Sequence, residues 1–147
     1  MNTNCGPVII IEDDLEYKEI IKDIFKKLNY PNEIMFFYNG QEALDFLNTT
    51  DLDPFLILSD INLPKLNGFQ LRDNIRMDAK LQPKCIPYLF FSTTSDQKFV
   101  VDAYSLSVQG YFVKPTKVAE LENMIKLIME YWKIGVSPNN FTNVPSV

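Results

Sequence analysis

The chain has 147 residues, a formal net charge of −5 and two cysteines, and it contains no histidine. A chain of this length suits one domain that buries roughly 70% of the surface of its unfolded form, so its core needs neither disulfides nor a structural metal. The negative charge argues against sequence-independent binding of DNA or RNA, and the missing histidine excludes imidazole catalysis, ligation or phosphorylation within this chain.

No apolar stretch approaches the roughly 20 residues that span a membrane, and the N-terminus lacks the basic start of a secretory signal. Cys5 and Cys85 fit no disulfide or CxxC spacing and are expected to be reduced thiols. We therefore expect a cytoplasmic protein whose partner is another protein or a small ion, with neither nucleic acid nor membrane as a partner.

Five short apolar runs predict β-strands. They are Val8–Ile11, Ile34–Phe37, Phe55–Leu58, Tyr88–Phe91 and Tyr111–Val113. Most of the gaps between them carry a helical pattern. This alternation predicts an α/β fold in which a five-stranded parallel sheet is doubly wound, with helices on both faces.

The first helix is predicted by six apolar side chains at helical spacing, opposite a polar face. They are Tyr17, Ile20, Ile21, Ile24, Phe25 and Leu28. The second and third helices are expected to follow the turn residues Asn39-Gly40 and Asn67-Gly68. The fourth is expected from Phe99 to Leu106 after Thr94 or Ser95 as N-cap, and Thr94 with Gln97 matches a capping box.

The last helix is predicted from about Thr116 to Ile134 and carries two apolar stripes. One contains Val118, Leu121, Ile125, Ile128 and Trp132, and the other contains Met124, Leu127 and Tyr131. The second stripe is either ordinarily buried or a surface for a partner or a second copy of the chain. The Pro, Asn and Ser content of residues 135–147 predicts a short, loosely ordered C-terminal tail.

Charged and hydroxyl side chains follow the predicted strands. Glu12 and Asp13 come after the first strand, Asp60 after the third, Ser92 after the fourth and Lys114 after the fifth. Ligands of doubly wound sheets bind at these carboxyl ends. Clustered carboxylates raise one another's pKa unless a cation offsets their charge, and oxygen ligands with room for water suit Mg²⁺. With a lysine and a hydroxyl nearby, the cluster could stabilise a phosphoryl group while a carboxylate attacks it.

Four segments, in this order and at this spacing, resemble the receiver domain of two-component response regulators. They read VIIIEDD, LILSDINLPKLNG, IPYLFFSTTS and GYFVKP. The resemblance covers residues 7–134 and implies the flavodoxin-like (βα)5 receiver fold. The STTSD stretch and the MEYWKI ending are most similar to the stand-alone regulators associated with bacterial phytochrome kinases.

The resemblance implies a role for each acidic position. Asp60 matches the phosphoacceptor and is also a Mg²⁺ ligand. Asp13 matches the direct acidic ligand, and Glu12 the acidic residue that acts largely through water. Asn62 matches the position whose backbone carbonyl completes the protein's share of the coordination. Asp14 falls one place beyond the acidic pair, which puts its direct ligation in doubt.

Three further positions match the family's transfer and switching residues. Lys114 matches its lysine, Ser92 its hydroxyl and Tyr111 its switch aromatic, and the resemblance also implies a cis Lys114–Pro115 bond. A sensor histidine kinase or phosphotransfer protein would donate the phosphoryl group from a phosphohistidine. The surface of the fourth helix, fifth strand and fifth helix would then change for a downstream protein target or for a second copy of the chain.

Three alternatives remain at this point. An aspartate-dependent phosphohydrolase generally has a second aspartate two places after its nucleophile, where this chain has Asn62. A flavodoxin-like carrier needs a phosphate-cradling loop after the first strand, where this chain has acids. A receiver-like module that binds partners without phosphorylation is compatible with the same residues. We expect a phosphoacceptor, which is not a turnover enzyme.

Overall fold

The computed structural model describes residues 5–136, so most of the predicted tail lies outside the described residues. Strands and helices alternate along them. The strands are β1 (Val8–Ile11), β2 (Ile34–Phe37), β3 (Leu56–Ser59), β4 (Tyr88–Ser92) and β5 (Gly110–Val113). The helices are α1 (Leu15–Leu28), α2 (Gly40–Thr49), α3 (Gly68–Met77), α4 (Gln97–Ser105) and α5 (Val118–Ile134).

The strands form one parallel sheet in the order β2-β1-β3-β4-β5. The predicted parallel sheet is therefore confirmed, with β3 shifted by one residue and β4 and β5 each one residue longer than predicted. The chain runs outward from β1 in one direction to β2 and in the other to β3. The carboxyl ends of β1 and β3 consequently flank the switch point in strand order, where doubly wound folds bind their ligands.

Helices cover both faces of the sheet because side chains alternate along each strand. Ile9 and Ile11 of β1 face α2, α3 and α4, whereas Val8 and Ile10 face α1 and α5. All four of these side chains are buried. The uninterrupted apolar strands of the sequence thus fill two hydrophobic layers.

The termini of α4 and α5 differ from the prediction. Asp96, rather than Thr94 or Ser95, caps α4, because its carboxylate accepts a hydrogen bond from the backbone N–H of Lys98. The α5 helix begins at Val118 instead of Thr116, and the side chain of Val118 is exposed. Leu121, Ile125 and Ile128 of the same stripe are buried as predicted.

Arg72 of α3 connects that helix to the C-terminal end of α4. Its guanidinium donates hydrogen bonds to the carbonyl oxygens of Leu106 (2.9 Å) and Ser107 (2.8 Å), directly after α4. It also lies 5.4 Å from the centre of the buried ring of Tyr88. These carbonyls carry the negative end of the helix dipole, which stabilises the buried cation.

Gly68 allows α3 to begin against the end of β3. A Cβ atom at this position would lie 2.2 Å from the carbonyl oxygen of Asp60. The backbone N–H of Gly68 also donates to the carbonyl of Ile61 at 2.8 Å. The turn after Asp60 is therefore closed by a contact that only a residue without a side chain permits.

We expect Gly68→Ala to lower the free energy of unfolding by about 1–3 kcal/mol, because the methyl group must push backbone atoms apart. Urea denaturation measures the loss. Gly110→Ala is the matched control, since its Cβ would meet the side chains of Leu89 and Phe112 at 3.1 Å rather than backbone. If Gly68→Ala were as stable as the wild type, the tight turn would not be required.

Candidate functional site

The backbone of the sheet holds the carboxylates that follow β1 and β3. The N–H of Asp60 donates to the carbonyl of Ile11 at 3.0 Å, and the N–H of Glu12 donates to the carbonyl of Phe37 at 3.0 Å. One carboxylate oxygen of Asp60 accepts from the N–H of Ile61 at 2.7 Å. One oxygen from each of Glu12, Asp13 and Asp60 lies within 4.8 Å of the others. The carboxylate cluster expected at these strand ends thus forms.

Lys114 reaches two members of this cluster from the end of β5. Its Nζ lies 2.6 Å from Oε1 of Glu12 and 2.8 Å from Oδ2 of Asp60. The three side chains are only 8%, 3% and 13% exposed, respectively. The backbone N–H of Lys114 donates to the carbonyl of Ser92 at 2.8 Å, which fixes the start of the lysine side chain. A largely buried ammonium therefore links the carboxylates after β1 and β3.

The prediction of a cis Lys114–Pro115 bond is wrong. The peptide bonds of the described residues, this one included, are all trans. Trans is the form that X–Pro bonds favour by about 0.5–1 kcal/mol. The lysine side chain is long enough to contact Glu12 and Asp60 from the trans backbone.

Burial and charge act in opposite directions on this cluster. Burial raises the pKa of Glu12 to about 7, although the hydrogen bond from Lys114 opposes the rise. Burial would lower the pKa of Lys114, but its hydrogen bonds to Asp60 and Glu12 outweigh that effect and raise it, so the ammonium stays charged. Oε2 of Glu12 is buried and has no hydrogen-bond partner among the described residues. Such an oxygen, beside two further carboxylates, fits a divalent cation and its bound water.

Asp14 and Asn62 follow the same two strands as the members of this cluster. The carboxylate of Asp14 accepts hydrogen bonds from the N–H groups of Glu16 (3.0 Å) and Tyr17 (3.2 Å), as the N-cap of α1. It therefore serves the helix start. Asn62 is exposed in the turn after Asp60, and the role of its backbone carbonyl stays a prediction.

Ser92 and Tyr111 are connected through a single residue, Thr94. Oγ of the buried Ser92 accepts from the N–H of Thr94 at 3.3 Å, and the hydroxyl of Tyr111 donates to the carbonyl of Thr94 at 2.7 Å. Thr94 was predicted from the sequence as a candidate cap of the fourth helix. Its bridging contacts depend on the loop conformation, for which the sequence pattern gave no signal.

Tyr17 is a second residue of the site that the sequence did not identify. It was placed in the apolar stripe of α1, yet its ring centre lies 4.6 Å from Nζ of Lys114. Helical spacing predicts which side chains share a face of α1. It carries no information about contact with a residue after β5, so no signal in the sequence could have identified this pair.

A cavity of about 10 Å³ adjoins Glu12, Asp60 and Lys114 and is otherwise lined by apolar side chains. This volume accommodates about one water molecule. The cavity cannot enclose a small-molecule substrate, so a group that reacts with Asp60 must be presented from outside.

Among the described helices, none has the length and hydropathy needed to cross a membrane.

Comparison with known proteins identifies relatives that cover nearly the whole chain. A family model described as the response regulator receiver domain matches residues 8–126. The probable methanogenesis regulatory protein FilR2 of Methanothrix harundinacea is 27% identical, over 85% of this chain and 82% of the relative.

Two solved structures extend the likeness to the fold. The phosphorylated cyanobacterial phytochrome response regulator RcpA has 28% identity and a TM-score of 0.76, over 86% of this chain and 93% of the other. The Mn²⁺-bound form of response regulator Rcp1 has 25% identity and a TM-score of 0.77, over 90% and 97%. The predicted receiver fold and the likeness to phytochrome-associated regulators are confirmed.

Receiver domains are in general signalling phosphoacceptors rather than turnover enzymes, and they bind Mg²⁺ or Mn²⁺ at an acidic pocket. Domains of this kind interact with histidine kinases or phosphotransfer proteins. The acidic cluster of Glu12, Asp13 and Asp60 is consistent with such a pocket. Because the family model matches most of its length, the chain belongs to the response regulator receiver domain family of two-component signalling.

Proposed function

We propose that residues 7–134 form a receiver unit that accepts a phosphoryl group on Asp60. The donor is the phosphohistidine of a sensor histidine kinase or phosphotransfer protein, and the reaction requires Mg²⁺. The observation that carries this proposal is the placement of the Asp60 carboxylate. It follows a buried strand, lies beside the carboxylates of Glu12 and Asp13, and contacts the ammonium of Lys114.

The residues of the cluster divide the chemistry. A carboxylate oxygen of Asp60 forms a bond to phosphorus as the phosphorus–nitrogen bond of the donor breaks, and the electron pair of that bond stays on the imidazole. The ammonium of Lys114 offsets negative charge on the phosphoryl oxygens. Glu12, Asp13, Asp60 and the carbonyl of Asn62 would hold Mg²⁺, which adds positive charge there when bound. The unpartnered Oε2 of Glu12 supports this ligand set.

The contacts of Thr94 support a route by which phosphorylation of Asp60 changes the position of Tyr111. The Ser92 hydroxyl would move to donate a hydrogen bond to the aspartyl phosphate, giving up the N–H of Thr94. Because Tyr111 holds the carbonyl of the same residue, its side chain would rearrange with that loop. The surface of α4, β5 and α5 would then change for a downstream protein target.

Intact mass measurement tests the transfer. After incubation with acetyl phosphate and Mg²⁺, we expect one added phosphoryl group that disappears when the metal is chelated. A phosphorylated kinase domain replaces acetyl phosphate if the small donor reacts poorly. Failure with both donors would favour the module that binds partners without phosphorylation.

We further propose that phosphorylation promotes self-association through α4, β5 and α5. A groove of about 430 Å³ lies between these elements, lined by Tyr104, Phe112, Leu127 and Tyr131 among others. Leu127 and Tyr131 of the second apolar stripe are 62% and 67% exposed. Exposed apolar groups of this size on one helix face support a contact surface over ordinary burial.

We expect the sedimentation mass to rise on phosphorylation and Leu127→Glu to prevent the rise, because the dimer would bury the introduced charge. Met77→Glu is the matched control, since Met77 is equally apolar and 73% exposed on α3, outside the groove. The Met77→Glu variant should self-associate on phosphorylation as the wild type does. An identical mass with and without phosphodonor would contradict the switch.

A further inference from the structure

The ammonium of Lys114 is held on three sides. Two sides are the carboxylate oxygens of Glu12 and Asp60, at 2.6 Å and 2.8 Å. The third is the face of the Tyr17 ring, whose centre lies 4.6 Å from Nζ. This distance is within the range of cation–π attraction, and an ammonium has three donors to distribute. The aromatic ring therefore completes the environment of a buried cation.

We propose that Tyr17 is a positioning residue for Lys114, and that its ring keeps the ammonium beside Asp60 during phosphoryl transfer. The proposal rests on the proposed function, because it concerns the same reaction. It assigns α1 a role in the reaction beyond the N-cap at Asp14.

The ring, rather than the hydroxyl, carries this role. The hydroxyl oxygen of Tyr17 is buried and has no hydrogen-bond partner among the described residues. Burial and the negative charges of Glu12 and Asp60 raise the pKa of Tyr17 to about 12, so the hydroxyl stays neutral. An unpartnered buried hydroxyl destabilises a fold. Replacing Tyr17 by phenylalanine would therefore remove no favourable contact from the free protein.

The position of the ring is fixed by its surroundings. The N–H of Tyr17 donates to the carboxylate of Asp14, in the first turn of α1. On the sheet side, the ring packs against Phe91, with 6.1 Å between ring centres. The backbone of Tyr17 is therefore held at the helix start, and its ring lies against β4, before any donor arrives.

A neutral ring holds the ammonium differently from the carboxylates. The attraction of Lys114 to Asp60 weakens when the carboxylate charge is taken up by the new bond to phosphorus. The attraction of the ring arises from its quadrupole and does not depend on that charge. Tyr17 can therefore hold the ammonium in place while its ionic partners change.

The test compares Tyr17→Leu, which removes the ring, with Tyr17→Phe, which removes only the hydroxyl. With acetyl phosphate and Mg²⁺, we expect Tyr17→Leu to slow phosphorylation about five- to tenfold and Tyr17→Phe to stay within about twofold of the wild type. Tyr30→Leu is the matched control. It removes a ring 5.5 Å from Lys133, distant from the cluster, and should leave the rate unchanged.

A second measurement, by NMR, detects the contact between Tyr17 and Lys114 in the absence of phosphorylation. In protein with ¹³C-labelled lysine, the ε-CH₂ protons of Lys114 should be shifted upfield by the Tyr17 ring. Tyr17→Phe should keep this shift and Tyr17→Leu should lose it. If Tyr17 only stabilised the fold, Tyr17→Leu would lower stability but would not lose both the Lys114 chemical shift and the phosphorylation rate.

Three outcomes would overturn the proposal. They are an unchanged rate in Tyr17→Leu, an unchanged Lys114 shift in that variant, or a rate in Tyr17→Phe as low as that of Tyr17→Leu. A wild-type chain that takes up no phosphoryl group from either donor would remove the proposed function and this proposal together. The first three outcomes, with normal phosphorylation of the wild type, would leave the proposed function standing.

Discussion

Asp60→Asn is expected to abolish phosphorylation, because an amide cannot replace the carboxylate as the attacking group. Intact mass after incubation with acetyl phosphate and Mg²⁺ should show no added phosphoryl group. Asp45→Asn, at an exposed aspartate of α2, is the matched control and should be phosphorylated like the wild type. Phosphorylation that persisted in Asp60→Asn would place the acceptor elsewhere.

The same variant should remain folded. Two effects oppose each other, since it loses the 2.8 Å ion pair with Lys114 but relieves repulsion among three neighbouring carboxylates. Lys114 also keeps Glu12 as a partner. We therefore expect the free energy of unfolding to change by less than about 1 kcal/mol. A marked fall in the midpoint temperature of thermal unfolding would show that the Asp60 carboxylate stabilises the fold.

Lys114→Met should destabilise the protein by about 3 kcal/mol at about pH 8 without divalent cations, because above the pKa of Glu12, about 7, it leaves two largely buried carboxylates without the ammonium that both contact. Added Mg²⁺ should restore part of the loss, since a cation that binds only the folded chain stabilises it. The deficit should also shrink as the pH falls below about 7, because Glu12 then takes up a proton and no longer carries a charge that the ammonium must offset. Urea denaturation with and without Mg²⁺ measures each effect.

Lys27→Met is the matched control for this variant. Lys27 forms an ion pair of similar length, 2.9 Å, with Glu122, but the lysine side chain is 71% exposed. Exposed pairs contribute about 0–1 kcal/mol, so the control should lose little stability. Equal stability of Lys114→Met and the wild type without metal would show that the buried pairs are not needed for folding.

The sequence was sufficient to predict the architecture and the grouping of the acidic residues. The strands are short and apolar, and polar side chains follow them, so parallel pairing brings Glu12, Asp60 and Lys114 to one edge. These relations need only the parallel direction of the strands, which their alternation with helices predicts, and the alternation of side chains along each strand. Both follow from patterns that are local in the chain.

Contacts that depend on loop conformation or on distant pairs could not be predicted in this way. Asp96 rather than Thr94 caps α4 because several residues of that loop can cap a helix, and the backbone conformation selects among them. The bridge from Ser92 through Thr94 to Tyr111 arises from the same loop. The Lys114–Pro115 bond was inferred by resemblance alone, and the structure has it trans.

Arg72 has a consequence for how α4 can move. Its two charge-assisted hydrogen bonds hold the backbone at the C-terminal end of the helix, near the buried Ala103. The opposite end, at Asp96 and Gln97, is exposed and follows the loop that contains Thr94. When that loop shifts, the C-terminal end of α4 stays held by Arg72 and the helix rotates about that end. The largest displacement therefore falls at the N-terminal end of α4.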